Sequence, residues 1–230
     1  MPESNHKAYI VGIGSGTEDF LTPQAEKVIS SCGVVAGWEN GLAALGSQLA
    51  GKRVFKQDCT NYVAIPVQAA ATARELDTDV AVLLLGDPLT YPAGMDVFCR
   101  QFAGFKVEFI PAVGSLQLAA AAAMVSLENS RIILYHPESD GSMDKADLAG
   151  KREVMLKAIR QGYNLIVLSD IEQMPAQTAA FLLQNGVPPQ SEAVISEQPG
   201  LADEKITRLS LSEAAQHESS WMSTLVVKVR

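Results

Sequence analysis

The segment that most limits the fold is residues 79–85, DVAVLLL, which run directly into Gly86-Asp87-Pro88. After Asp79 the run has no polar face, so a strand made from it must be covered by protein on both sides. Strands of that kind lie inside parallel sheets with helices above and below. Parallel neighbours need long crossover connections, and the spacing of the other segments supplies them. Residues 7–13 (KAYIVGI) read as a second buried strand that ends in glycines. Thr22 suits an N-cap and Pro23 a first helical position, which predicts a helix to about Ser31. A short strand is expected at 34–36, helical spacing covers 39–49, and Pro66 opens a helix to about Leu76. Residues 94–102 are helical in pattern and 106–110 strand-like.

Pro111-Ala112-Val113-Gly114 reads as a hinge, after which Ser115 is placed to cap an alanine-rich helix. Strands are expected at 131–135 and 164–168, and helices near 151–160 and 175–184, with a polar loop between residues 137 and 150. The last forty residues change character. Residues 192–196, 205–209 and 223–229 are strand-like and separated by turns, the mark of hairpins. The expected architecture is therefore two consecutive α/β domains, 1–112 and 113–230, with a cleft between them and a partly antiparallel second sheet.

Composition narrows the function classes. Hydrophobic residues make up 47% of the 230, enough for a substantial core. A net charge of −8 argues against a nucleic-acid partner, since phosphate binding needs clustered Lys and Arg. Cys32, Cys59 and Cys99 are widely spaced and odd in number, which predicts buried, reduced thiols and no metal site. The polar start MPESNHK lacks the apolar centre of a secretory signal, and no apolar run reaches the length of a membrane helix. The expectation is a cytoplasmic protein with no membrane partner.

Two loops invite chemistry. Gly12-Ile13-Gly14-Ser15-Gly16 follows the first strand, and glycines there let a ligand approach the main chain. A dinucleotide fingerprint would read GxGxxG with the helix starting at once. Here the pattern is GxGxG, with Glu18-Asp19 intervening, so a nicotinamide domain and a purely structural turn both stay open. Gly86-Asp87-Pro88 stands where open α/β sheets bind ligands, beyond the carboxyl end of a central strand. The alternative is an ordinary β-turn, which Asp-Pro favours. The small-residue stretch before Ser115 offers free N–H groups at a helix start, or is simply a linker into a well-packed helix. His136 ends a strand before a polar loop, and a lone histidine there is as readily structural as catalytic. There is no GxSxG and no Walker lysine. The chain reads as one that positions ligands rather than one that forms a covalent intermediate.

Taken in order, YIVGIGSGTEDFLTPQAEKVISSCGVVAG, LLLGDPLTYPAGMDVF and VEFIPAVGSLQLAAAAAMVSLENSRIILYHP resemble the tetrapyrrole methylase family over most of the chain. Within it they are most similar to the branch that methylates C-5 of a precorrin or cobalt-precorrin in cobalamin biosynthesis. The resemblance implies an S-adenosylmethionine-dependent methyltransferase, a cofactor folded into an interdomain cleft, and a homodimer. Carried over by position, Gly86, Asp87, Pro88, Leu89 and Tyr91 would contact the cofactor, with Ser115 and Gln117 near its methionine or adenosine portion. Gly12, Gly14 and Gly16 would shape the loop facing the tetrapyrrole. Arg53, Arg131, Lys52 and Arg100 are candidates to pair with its carboxylates, and His136 is a candidate base. A decarboxylating C-15 methylase is the partner such an enzyme would have. The chain departs from the family pattern at Ser15, where a proline is usual, at Gly114, where a serine is usual, and at Pro137-Glu138, where Gly-Arg follows the histidine. A methylase for another ring position, an RNA 2′-O-ribose methylase, and an inactive binding protein remain the alternative readings.

Overall fold

The computed structural model describes residues 6–58, 60–90, 95–135, 144–169, 171 and 173–229, with only the backbone at Ala44. The chain divides into two compact units, Met1–Gly114 and Ser115–Arg230.

In the first unit the elements are β1 (Lys7–Gly12), α1 (Pro23–Ser31), β2 (Val34–Trp38), α2 (Glu39–Ala44), β3 (Arg53–Gln57), α3 (Ala64–Glu75), β4 (Val80–Leu84), α4 (Met95–Gln101) and β5 (Lys106–Ile110). The strands form one sheet in the order β3-β2-β4-β1-β5, and every pairing is parallel. β4 is buried on both faces, as its composition requires. Val80, Val82 and Leu84 pack with Ala69 and Ala73 of α3, Phe98 of α4 and Phe102 just after it. Ala81 and Leu83 pack on the opposite face with Ala25 and Ile29 of α1 and with Leu42 and Leu45. Each fully buried valine or leucine contributes roughly 1.5–3 kcal/mol, so this two-sided core is what fixes the order of strands.

The second unit runs α5 (Ser115–Ala123), β6 (Ser130–Tyr135), α6 (Lys145–Arg160), β7 (Asn164–Ser169), α7 (Met174–Gln184), β8 (Glu192–Glu197), β9 (Lys205–Ser210), α8 (Leu211–Ala214) and β10 (Ser223–Val227). Its sheet has the order β6-β7-β10-β8-β9. Only β6 and β7 are parallel; β10 is antiparallel to both β7 and β8, and β9 to β8. α6, α7 and α8 cover one face through Met155, Ala158, Leu182 and Leu211. α5 covers the other with Leu116, Ala119, Ala120 and Ala123. The mixed α/β fold with a partly antiparallel second sheet is thus as the sequence pattern predicts. No described helix is long and apolar enough to cross a membrane.

The boundaries differ in instructive places. The helical spacing over 39–49 is broken into α2 and a 3-10 turn at Gly46–Leu49, since Gly46 interrupts the pattern. α6 starts well before Lys151, because the Asp144 side chain accepts from Ala146 N–H at 2.6 Å and Asp147 N–H at 3.2 Å. Ser115 is the first helical residue of α5 rather than the one before it. Thr22 caps α1 as expected, its hydroxyl accepting from Ala25 N–H at 3.1 Å. Of the thiols, Cys32 is buried, and burial with the nearby Asp79 charge pushes its pKa up to about 12. Cys99 is exposed, because the neighbouring Phe98 takes the inward face of α4; Cys59 lies outside the described residues.

One pH dependence follows from the start of the chain. His6 Nε2 lies 2.7 Å from Asp77 Oδ1, and that hydrogen bond raises the imidazole pKa. A raised folded-state pKa contributes stability that is present below the unfolded value and lost as pH rises through the folded value. The unfolding midpoint of the wild type relative to His6→Ala is therefore expected to shrink as pH rises past about 6.5. A gap that stays constant from pH 5 to pH 9 would rule this pairing out.

Candidate active site

β4 and β1 are neighbours, yet the chain leaves them in opposite directions. From β1 it crosses by way of α1 to β2 and β3, and from β4 by way of α4 to β5 on the other side. Such a point opens a crevice beyond the carboxyl ends of the two strands. The GxGxG loop follows β1 and the Gly-Asp-Pro loop follows β4, so the two sequence motifs meet there.

They meet through their backbones. Ile13 N–H donates to Leu84 C=O at 3.0 Å, and Gly86 N–H donates to Gly14 C=O at 2.6 Å, an isolated antiparallel bridge between the loops. Gly14 sits at φ +62, and a side chain on it would strike Phe20 Cβ. Gly86 sits at φ +76, facing Gly114 Cα.

Asp87 is 7% exposed. Its Oδ1 accepts from Leu89 N–H at 2.7 Å and its Oδ2 from Ala112 N–H at 3.3 Å. One carboxylate thus shapes its own loop and ties it to the segment leading out of β5. Thr90 adds two bonds to the Asp87 carbonyl, from N–H at 3.0 Å and from the hydroxyl at 2.7 Å, closing the 3-10 turn Pro88–Thr90. Leu89 is left 61% exposed and Val113 38% exposed, two apolar side chains flanking a polar backbone shelf. Ser15 and Thr17 share a hydroxyl hydrogen bond at 3.0 Å on the facing loop.

Each remaining described candidate is placed within its own unit. Gln117 is half-buried in the first turn of α5, just after Ser115. Arg53 opens β3 at the register of Val34, the N-terminal edge of the first sheet and roughly 13 Å of strand from its carboxyl end. Lys52 closes the end of α1, donating to Ser30 C=O at 2.9 Å and Cys32 C=O at 2.7 Å. Arg100 lies in the last turn of α4. Arg131 pairs with Leu165 at the start of β6, the end of that strand opposite Tyr135. Tyr91 and His136 lie outside the described residues. Among the described residues no group of three metal-ligating side chains comes together.

Sequence reasoning passed over two features. Ala112 N–H, a backbone group without any side-chain signature, donates to the second oxygen of Asp87. In the second unit, buried Glu197 accepts from Ser220 N–H at 2.8 Å and lies 3.5 Å from His217 Nε2. His217 stands among polar residues in the sequence, and only the fold brings it to Glu197.

The model of the family described as Tetrapyrrole (Corrin/Porphyrin) Methylases matches residues 7–215. The chain belongs to the tetrapyrrole methylase family. Membership makes it a methyltransferase that depends on S-adenosylmethionine. This methylase is similar to a probable cobalt-precorrin-7 C(5)-methyltransferase of Methanocaldococcus jannaschii, 26% identical over 227 residues, which are 95% of this chain and 96% of the relative. Among solved structures it is similar to the methyltransferase CobJ, with a TM-score of 0.81 at 16% identity, covering 98% of this chain and 95% of that one. It is also similar to the precorrin-6Y methylase CbiE of Archaeoglobus fulgidus, with a TM-score of 0.65 at 21% identity, covering 98% and 99%. Those structural likenesses carry the fold.

Proposed function

We propose that this methylase transfers a methyl group to C-5 of a precorrin or cobalt-precorrin in cobalamin biosynthesis. The observation that carries the reading is the backbone bridge between Gly14 and Gly86, which joins the two glycine loops into one shelf at the strand-order reversal. The similarity to the Methanocaldococcus jannaschii relative supports the pathway and the ring position.

The shelf fits S-adenosylmethionine. Gly12 and Gly14 let the neighbouring protein segments close on one another, and Gly86, with nothing nearer than 3.9 Å to the place of a side chain, leaves room for a ligand against main-chain atoms. Leu89 and Val113 offer exposed apolar surface beside it, suited to covering a nucleoside or thioether chain. When bound, the cofactor supplies an electrophilic methyl group on a sulfonium that leaves as a neutral thioether, so the protein's work is alignment and exclusion of water. Pro88 and the Asp87 hydrogen bonds hold the shelf in one conformation before any ligand arrives. Of the acidic groups on the two loops, Glu18 and Asp19 are exposed and Asp87 is buried. Asp87 therefore acts on the shelf by fixing Leu89 and Ala112, and adds the one buried negative charge near a cationic ligand. The same reading carries a homodimer in the cytoplasm and a separate decarboxylating C-15 methylase acting on the same intermediate.

The deciding experiment incubates the protein with methyl-labelled S-adenosylmethionine and a panel of precorrin intermediates. Label at C-5 of one of them is the expected result. Label at another ring carbon would remove the C-5 assignment, and label in none would sink the corrin reading as a whole.

A further inference from the structure

Arg131 is a basic residue of the second unit. It stands at the exposed start of edge strand β6, and its guanidinium lies over the Tyr163 ring, 5.5 Å from the centroid. Together with Val154, Lys157, Ala158 and Gln161 it lines a cleft of about 610 Å³. Val154, Lys157 and Ala158 of α6 and Gln161, which caps it, follow the spacing of one helical stripe, so they face the cleft together. Among the described residues neither Arg131 nor Lys157 has a carboxylate within ion-pair distance, although the chain as a whole is acidic. Glu153, one turn before Lys157, makes no ion pair with it.

The lining has two characters. Its floor is apolar: Ala158 is buried, Val154 is 44% exposed, and Tyr163 offers a ring. Its rim carries two cations and the Gln161 amide. The C-terminal end of α6 contributes about half a negative charge at this place, which two full positive charges outweigh. Stacking on Tyr163 also holds the Arg131 fork before a ligand arrives, reducing the entropy lost on binding.

We propose that this cleft is an anion-binding site for a small ring compound bearing carboxylates, with the ring on Val154, Ala158 and Tyr163 and the carboxylates on Arg131 and Lys157. It lies at the end of β6 opposite Tyr135 and does not depend on the methyl-transfer reading.

The test is calorimetric titration of the full chain with a pyrrole dicarboxylate, with citrate, and with inorganic phosphate, at low and at moderate salt. The pyrrole dicarboxylate is expected to bind more tightly than either of the others and to weaken with salt. Arg131→Ala and Lys157→Ala should each weaken it about tenfold, and Tyr163→Leu should bring its affinity down to that of citrate. Circular dichroism of each variant confirms that it is folded. Equal affinity for citrate and the ring compound, unchanged affinity in the Arg131 and Lys157 variants, or no binding at low salt would each overturn the proposal. Methyl transfer assayed on the same preparation reports separately on the reaction.

Discussion

Gly12→Ala is expected to cost about 1–3 kcal/mol of stability and to weaken S-adenosylmethionine binding by at least an order of magnitude. A Cβ at this position would lie 2.8 Å from Ala112 Cβ, 2.8 Å from the Gly86 carbonyl oxygen and 2.8 Å from Pro88 Cδ. None of the three can turn aside, because one is backbone, one is a proline ring and one is a methyl fixed to its backbone. The added methyl must therefore push the β1 end away from the Gly-Asp-Pro loop and from the segment after β5 at the same time. Denaturant titration reads the stability and calorimetry the affinity. Full affinity together with full stability would show that these three segments do not rest on one another. Loss of affinity with little loss of stability would locate the damage in the shelf itself.

The second large effect is expected at Asp87. Asp87→Ala removes the acceptor for Leu89 N–H and for Ala112 N–H, and each buried donor left unpaired costs about 1–3 kcal/mol. Calorimetry on this variant should detect no S-adenosylmethionine binding. Asp87→Asn is the informative companion. Its amide oxygen can still accept from one N–H, but its NH₂ faces the other, so an intermediate affinity is expected with most of the stability retained. Should Asp87→Ala bind the cofactor as the wild type does, neither the carboxylate nor the geometry it holds matters for the site.

Much of this arrangement was legible in the residues, and the parts that were not share a physical reason. β4 declared itself because six consecutive apolar residues admit only a two-sided burial. The glycine loops stood out because φ values such as those of Gly14 and Gly86 are costly for any other residue. β3 was missed: as an edge strand it carries Arg53 and Lys56 toward solvent and shows no clean alternation, with Val54 and Phe55 half-buried and only Gln57 buried. With β3 in place, Arg53 stands at the N-terminal edge of the parallel sheet. The start of α6 was hidden by Gly150 and a polar first turn, and only the Asp144 cap reveals it. Least legible was the partner of Asp87, a main-chain N–H twenty-five residues away, because backbone donors leave no mark on composition.

The place of β10 in the second sheet bears on how the molecule is made. The first unit closes entirely from segments that precede Gly114, so a ribosome can release it as a finished body. The second unit has no such freedom. Its middle strand, between β7 and β8, is Ser223–Val227, which emerges after every other strand of that sheet. Until then β7 and β8 each present an open apolar edge, the state in which partly made chains are most prone to stick to one another. Expression yield of this unit should therefore respond to chaperone supply and to the last few strand residues more sharply than its final stability suggests.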